Sequence, residues 1–336
     1  MKSSGLLLIF LCAAGACFSQ KTRKYHADSS NIFTIKYLEI HPDINNTAGE
    51  NHSLLFGNIE VFDVRFDTTN IGTWVASHYY PYIGYVFENR KINFDNGLAD
   101  ALKIYVSGSY KQQYSDTTLV CFIKQFHLTR RDTADKNQSP NENFGELRTE
   151  VECYFKVTDK LYPATRIDTS FINTVVVKEN KVTESVNDLL ISDFLKALFS
   201  KLNKINKAKV FQRTASEMDE IDLKYMRRLN LPILRTNIYP KGVFVTFDEF
   251  KNNNPSITEF KIKKEKYKSI SLLDKDGLAI NTMKIFGFSD GSKLWISFGN
   301  YCFPLIKTGN AFEFYVTINP FIKLLADMNM DTGKPY

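Results

Sequence analysis

Gly287-Phe288-Ser289-Asp290-Gly291 fits the spacing G-x-S-x-G, in which a serine on a sharp strand-to-helix turn attacks a carbonyl beside an oxyanion hole. That chemistry needs a histidine later in the chain, yet His26, His41, His52, His78 and His127 all precede the motif. Lys293-Leu294-Trp295-Ile296 follows as a strand pattern, so the five residues predict a hairpin turn. Asp327, Asn329, Asp331 and Gly333 put oxygen at alternate positions, as a calcium loop does. The glycine falls one place late and no glutamate follows, so the segment is expected to be a polar tail. The histidines form no H-E-x-x-H and no helical pair, which leaves no zinc signature. His78, beside Tyr79 and Tyr80, reads as a packing residue. Asp63, Asp67, Glu150 and Glu152 are the acids from which a general acid–base pair could be drawn, but alternation along strands places them on wet faces. No phosphate-cradling glycine loop is present. The residue types therefore assign no catalytic, cofactor-binding or metal position.

Three cysteines lie in the body of the chain. Cys121 and Cys153 fall in two strand-like runs and can pair across a sheet, while Cys302 is left over; equally, all three can be small buried hydrophobes. Lys261, Lys263, Lys264, Lys266 and Lys268 surround Tyr267. Their alternation with Phe260 and Ile262 is that of an edge strand whose lysines discourage further pairing. The net charge of +6 is spread along the chain rather than gathered on one face, which argues against nucleic acid as a partner.

The elements that must position these groups fall into two textures. Phe62, Val64 and Phe66 alternate with Asp63 and Arg65, and an aromatic run follows from Trp74 to Phe87. Asp95 can cap a helix bearing Leu98, Ala101, Leu102 and Tyr105. Strands are expected at 119–128, 150–157 and 167–178, with a long loop over 129–143. The strongest helical signal is Leu190, Phe194, Leu198 and Leu202 at every fourth residue, with Ser185 and Asp188 as a capping pair. A charged helix over 216–229 reads as a connector. After Pro232 come short strands punctuated by Asp276-Gly277, Asp290-Gly291 and Thr308-Gly309-Asn310. The predicted fold is α+β: an antiparallel sheet with two covering helices over residues 30–210, a helical connector over 211–230, a smaller β-rich domain of antiparallel hairpins over 231–320 and a tail over 321–336. Hydrophobic residues at 43% and aromatic residues at 14% suit two packed cores of this kind.

The first nineteen residues hold Lys2, a short apolar run from Leu6 to Ala16, and small residues up to Ser19, which is the pattern of a secretory signal. The run is too short to span a bilayer as a helix. Ala14-Gly15-Ala16-Cys17 also resembles a lipobox, whose cysteine is lipidated, although Ala14 stands where leucine is usual. Cleavage after Ser19 is the better fit; lipidation of Cys17 is the alternative, and only that alternative makes the membrane a partner. The chain is expected to be exported to the periplasm or cell envelope.

Lys241-Gly242-Val243-Phe244-Val245-Thr246-Phe247-Asp248-Glu249-Phe250, then Asn252-Asn253-Asn254-Pro255-Ser256, the turn Phe286 to Gly291 and the glycine turn Lys307-Thr308-Gly309 resemble a pattern in uncharacterised exported envelope proteins of Bacteroidota-type bacteria. The resemblance lies mainly over residues 241–316 and implies an address rather than an activity. Within it, Thr246 and Glu249 form a capping box on physical grounds alone. The function expected from these signals is binding or scaffolding of an envelope protein or polymer, without cofactor. The competing class is a carboxylate-dependent hydrolase of envelope polymers.

Overall fold

Long strands built on alternating apolar residues dominate the amino-terminal part, and each has a partner long enough to use them. The computed structural model describes residues 35–38, 56–80, 84–109, 115–132, 141–177, 186–264, 270–319 and 322–335. The segment 1–19 read as a secretory signal, with Cys12 and Cys17 in it, and His26, His41, His52, Ser185, Lys266, Tyr267 and Lys268 lie outside them, as does the side chain of His78.

The first sheet contains β1 (Ile35–Leu38), β2 (Asn58–Asp63), β3 (Gly72–Tyr80), β4 (Gly84–Phe94), β5 (Thr118–Asp132), β6 (Asn141–Val157), β7 (Lys160–Val177) and the two-residue β8 (Ser216–Glu217). Its order is β1-β4-β3-β5-β6-β7-β8, with β2 also paired to β5. The expected all-antiparallel sheet is corrected here: β1 with β4, β2 with β5 and β3 with β5 run parallel. Alternation specifies a strand and its faces but not its direction, and that direction follows from the crossover that returns the chain. The expected loop over 129–143 also shortens, because β5 and β6 pair as far as Asp132 opposite Asn143.

Helix α1 (Gly97–Ser109) and helix α2 (Val186–Asn203) share one apolar cluster with the sheet. The periodic residues Leu190, Phe194, Leu198 and Leu202 are all buried in it, beside Ile123, Val151 and Phe155. After the short helix α3 (Lys207–Val210), helix α4 (Met218–Leu229) opens with a reciprocal Glu217–Glu220 capping box. This charged helix is more than a connector. Its Ile221 and Tyr225 pack on the opposite face of the sheet against Val120, Phe122 and Tyr154, so β6 is covered on both sides. The faces of Glu150 and Glu152, expected to be wet, are therefore largely buried.

Helix α5 (Pro232–Arg235) leads to β9 (Gly242–Phe244), α6 (Phe247–Lys251), the hairpin β10 (Phe260–Lys264) with β11 (Ile270–Asp274), and then β12 (Gly287–Ser289), β13 (Leu294–Phe298), β14 (Tyr301–Thr308), β15 (Ala311–Asn319) and β16 (Ile322–Asp327). The second sheet runs β16-β15-β14-β13-β12-β9, all antiparallel. Thr246 caps α6 by accepting from the Glu249 backbone N–H at 3.2 Å, while the Glu249 carboxylate receives the Val245 N–H at 2.7 Å. Residues 280–286 form no continuous strand: a 3-10 turn occupies Thr282–Lys284, where Asn281 caps the Met283 N–H at 3.0 Å. The expected polar tail is corrected over residues 322–335: β16 pairs with β15, and Met328 and Met330 are each 2% exposed. Burial of those two methionines and the backbone N–H groups of Asp331 and Thr332 bonded to the Asn329 side chain both offset the entropy of ordering this turn.

The protein is thus a mixed α and β structure in which strands dominate. The described elements belong to one compact unit, Thr34–Tyr336, in which each large sheet has its own apolar cluster.

Candidate functional site

Strands β2 and β3 lie end to end along the same side of β5, β2 opposite Thr118–Ile123 and β3 opposite Leu128–Asp132. Between them the chain leaves the sheet over residues 64–71, and on β5 a bulge falls between Ile123 and Gln125. A broken ladder strands backbone groups that must find other partners. Arg65 supplies them: its guanidinium donates to the carbonyls of Asn70 at 2.7 Å and Phe126 at 3.3 Å, and grips Asp63 through two bonds of 2.8 and 2.7 Å. Arg228 of α4 does the same from the other side, donating to the carbonyls of Val64 at 2.7 Å and Lys124 at 3.2 Å while pairing with Asp331. Gly72 closes the excursion at φ +148°, where a Cβ would meet the Leu128 carbonyl oxygen at 1.9 Å. Only glycine fits that approach.

The excursion carries Phe66 into the apolar cluster of the second sheet, beside Phe312, Met328 and Met330. At the joint a cavity of about 40 Å³ is lined by Arg65, Lys124 and His127 from the first sheet and by Phe312, Glu313 and Asp327 from the second, among others. Glu313 and Asp327 are direct partners across β15 and β16. Lys91 of β4 bridges to Glu313 at 2.5 Å, and His127 Nδ1 stands 3.8 Å from Asp327.

Burial, with Arg148 and Arg65 nearby, lowers His127 to about 3, so the imidazole is neutral at pH 7 and its approach to Asp327 is not an ion pair. Burial and the Glu313 charge push the Asp327 carboxyl up to about 7, against the opposing pull of Lys91. Asp327 can exchange a proton near neutral pH, but the imidazole, lowered to about 3 and 3.8 Å away, is too weak a base to take it. The space around it is the limit. A cavity of about 40 Å³ holds a few waters, whereas small-molecule pockets run from roughly 300 to 1,000 Å³.

The same sheet face carries a second knot centred on Glu152. It accepts from Lys224 Nζ at 2.6 Å, Tyr225 Oη at 2.9 Å and Tyr154 Oη at 3.2 Å. Lys124 lies 3.4 Å away and also bridges to Glu150, which meets Arg166 at 3.1 Å. Burial opposes ionisation of Glu152, but the bonds from Lys224 and Tyr225 and the positive charges outweigh it and bring the carboxyl down to about 2. Burial and the Glu152 charge drive Tyr225 up and Tyr154 to about 12. These groups hold one another in fixed protonation states.

No protein-family model matches the chain, and no curated protein matches it. Among solved structures, a Xanthomonas campestris protein of the DUF330 family is similar at 12% identity and a TM-score of 0.21, covering 50% of this chain and 92% of its own. A likeness that slight carries no argument. The reading of the site rests on its own residues.

Of the positions singled out from sequence, Ser289 is buried on β12 and its oxygen accepts the Gly291 N–H at 3.0 Å. Asp290 accepts from the Ser292 and Lys293 backbone and from Trp295 Nε1 at 3.2 Å, which ties the hairpin turn. Asn329 accepts the Asp331 N–H at 2.9 Å, so the calcium-like residues form a turn held by its own side chain. Cys121 and Cys153 stand directly opposite on β5 and β6 as thiols with sulfurs 3.5 Å apart, and Cys302 is a third free thiol. Asp63 joins Arg65, and Glu150 and Glu152 join Lys124, but Asp67 turns to Thr69 and Asn70. Sequence reasoning missed Arg65, Arg228, Lys91, His127, Glu313 and Asp327 as one neighbourhood. Glu313, between Phe312 and Phe314, has the alternation of a wet face, and nothing local says that another sheet covers it. Among the described residues no helix is long and apolar enough to cross a membrane, and no group of three or more metal-binding side chains gathers.

Proposed function

We propose that this is an exported protein of the bacterial cell envelope that works by binding or scaffolding an envelope protein or polymer. In this reading the sheet covered by two helices is the support, and the smaller β-rich part built from hairpins is the recognition unit. The observation that carries the proposal is the secretory signal at 1–19, with its short apolar run and small residues before Gln20. The resemblance of residues 241–316 to envelope proteins of Bacteroidota-type bacteria supports it. The small, internally paired polar cavity favours a binding or scaffolding role over turnover of a large substrate. Fractionation of cells expressing the full chain, with intact mass of the processed product, tests the address. A chain beginning at Gln20 or at acylated Cys17 in the envelope fraction is expected; Met1 retained in a cytoplasmic fraction overturns it. Crosslinking in envelope extracts then identifies the partner, and no enrichment over a control protein counts against binding.

The hydrolase reading has one observation in its favour, the neighbouring carboxyls of Glu313 and Asp327, with Asp327 raised to about 7 by burial and Glu313. It predicts release of soluble fragments from peptidoglycan or envelope polysaccharide that Asp327→Asn abolishes. No release by the wild-type chain ends that reading.

A further inference from the structure

We propose that Cys121 and Cys153 form a disulfide in the exported protein, stapling β5 to β6 beneath α2. The two residues are direct partners in the antiparallel ladder, with sulfurs 3.5 Å apart. Directly opposed antiparallel residues have Cα atoms about 4.5–5.5 Å apart, inside the roughly 4.4–6.8 Å that a disulfide spans. A modest rotation of both side chains brings the sulfurs into bonding distance without moving either strand. The pair lies on the helix-covered face, at 3% and 1% exposure, among Leu119, Ile123, Val151 and Phe155. That position sits back to back with the Lys124–Glu152 knot, so the staple would hold the two strands from which the polar seam projects.

Chemistry sets the order of events. Contact with Cys121 and burial keep the Cys153 thiol protonated in the folded state, and a protonated, buried thiol exchanges slowly. The bond therefore forms while β5 and β6 are paired and α2 has not yet closed over them. One cysteine, as thiolate, attacks an external disulfide such as oxidised glutathione or an oxidised dithiol protein and releases one thiol. The second cysteine then displaces the other thiol from the mixed disulfide. Two protons and two electrons leave the cysteine pair, and the external disulfide is reduced. Cys302, on β14 in a separate apolar cluster and raised to about 11 by burial, is the internal control.

The inference draws on the export reading for its oxidising surroundings, so the test separates the two. The full chain is purified without reductant, and a second sample is refolded from denaturant with oxidised and reduced glutathione; both are alkylated under denaturing conditions and mapped by peptide mass. The expected result is a linked pair of peptides containing Cys121 and Cys153, with Cys302 alkylated. Alkylation of both Cys121 and Cys153 in the refolded sample, or a bond to Cys302, overturns the proposal. A chain found in the envelope with both thiols free overturns it while leaving export intact, and a linked pair in refolded protein from a chain that stays in the cytoplasm supports the pairing while removing the export reading. Because the cysteines are 32 residues apart, closing that loop is expected to lower the unfolding equilibrium constant ~500-fold relative to the reduced protein. In the double variant Cys121→Ala/Cys153→Ala, reductant should leave the denaturation midpoint unmoved; an equal midpoint for oxidised and reduced wild type counts against the staple.

Discussion

The two faces of β5 and β6 are built from neighbouring residues yet obey different physics. Toward α2 lie Leu119, Cys121, Ile123, Val151 and Phe155, all dry and close-packed. One residue along, toward α4 and the second sheet, lie the buried His127 and Glu150 and the largely covered Lys124 and Glu152, all charged or polar. The first face gains stability from area removed from water and is forgiving about direction. The second gains little net energy from burial, because each charge must be matched by a hydrogen-bonded partner of correct geometry. What the second face supplies is registration: Arg65 and Arg228 can satisfy the stray carbonyls of Asn70, Phe126, Val64 and Lys124 only in one arrangement of sheet, excursion and α4.

The contrast can be broken most visibly on the dry face. Phe194→Ala, at 1% exposure, is expected to destabilise by about 4 kcal/mol through lost transfer energy and a cavity, read as a lower urea midpoint with unchanged slope. On the polar face Arg65→Met should cost about 3 kcal/mol, although methionine fills much of the same volume, since it leaves the Asp63 carboxylate without its counter-charge and the carbonyls of Asn70 and Phe126 without the guanidinium. A loss below about 1 kcal/mol would mean that this arginine fits the break without holding it.

The pH dependence sharpens the comparison, because from acid to neutral pH the groups that titrate lie on the polar face. Asp327 is raised from 3.8 to about 7, so its contribution is fully present below about pH 3.8 and is lost as pH rises towards 7. Asp327→Asn should match the wild type near pH 4 and exceed it in stability at pH 7.5. His127 is lowered from 6.5 to about 3, so its contribution is present above pH 6.5 and lost on acidification. His127→Gln should therefore lose less stability than the wild type between pH 6.5 and 4, measured by denaturation at fixed ionic strength. The smallest effect is expected from Tyr225→Phe, which removes one bond to Glu152 and costs about 1 kcal/mol. Because Glu152 is held down to about 2, its stabilisation disappears between pH 4.5 and 2, and this variant should move that acid loss to higher pH.

Much of the secondary structure was legible. Leu190, Phe194, Leu198 and Leu202 repeat every fourth residue and are all buried on one face of α2. Asp276-Gly277 and Asp290-Gly291 announced turns, and both glycines have positive φ, +81° and +95°. The period of an element is a local property, so local residues reveal it. The site was not legible in the same way. The apolar positions of α4 showed that it had a buried face, but not that Tyr225 would meet Glu152, 73 residues away. Likewise Asp331 looked like tail or calcium-loop residue until its bond to Arg228, 103 residues earlier, showed it to be a clamp.

Amino-acid order alone dictated which segments would be strands, helices and turns, and which side of each would be apolar, because those choices depend on side chains within a few residues of one another. Tertiary structure decided that β2 and β3 run parallel to β5, that a break between them must be filled by two arginines, and that acids on apparently wet faces are covered. Those outcomes depend on which surfaces meet, and a charge pattern that suits water at one distance suits a buried partner equally well once another sheet arrives.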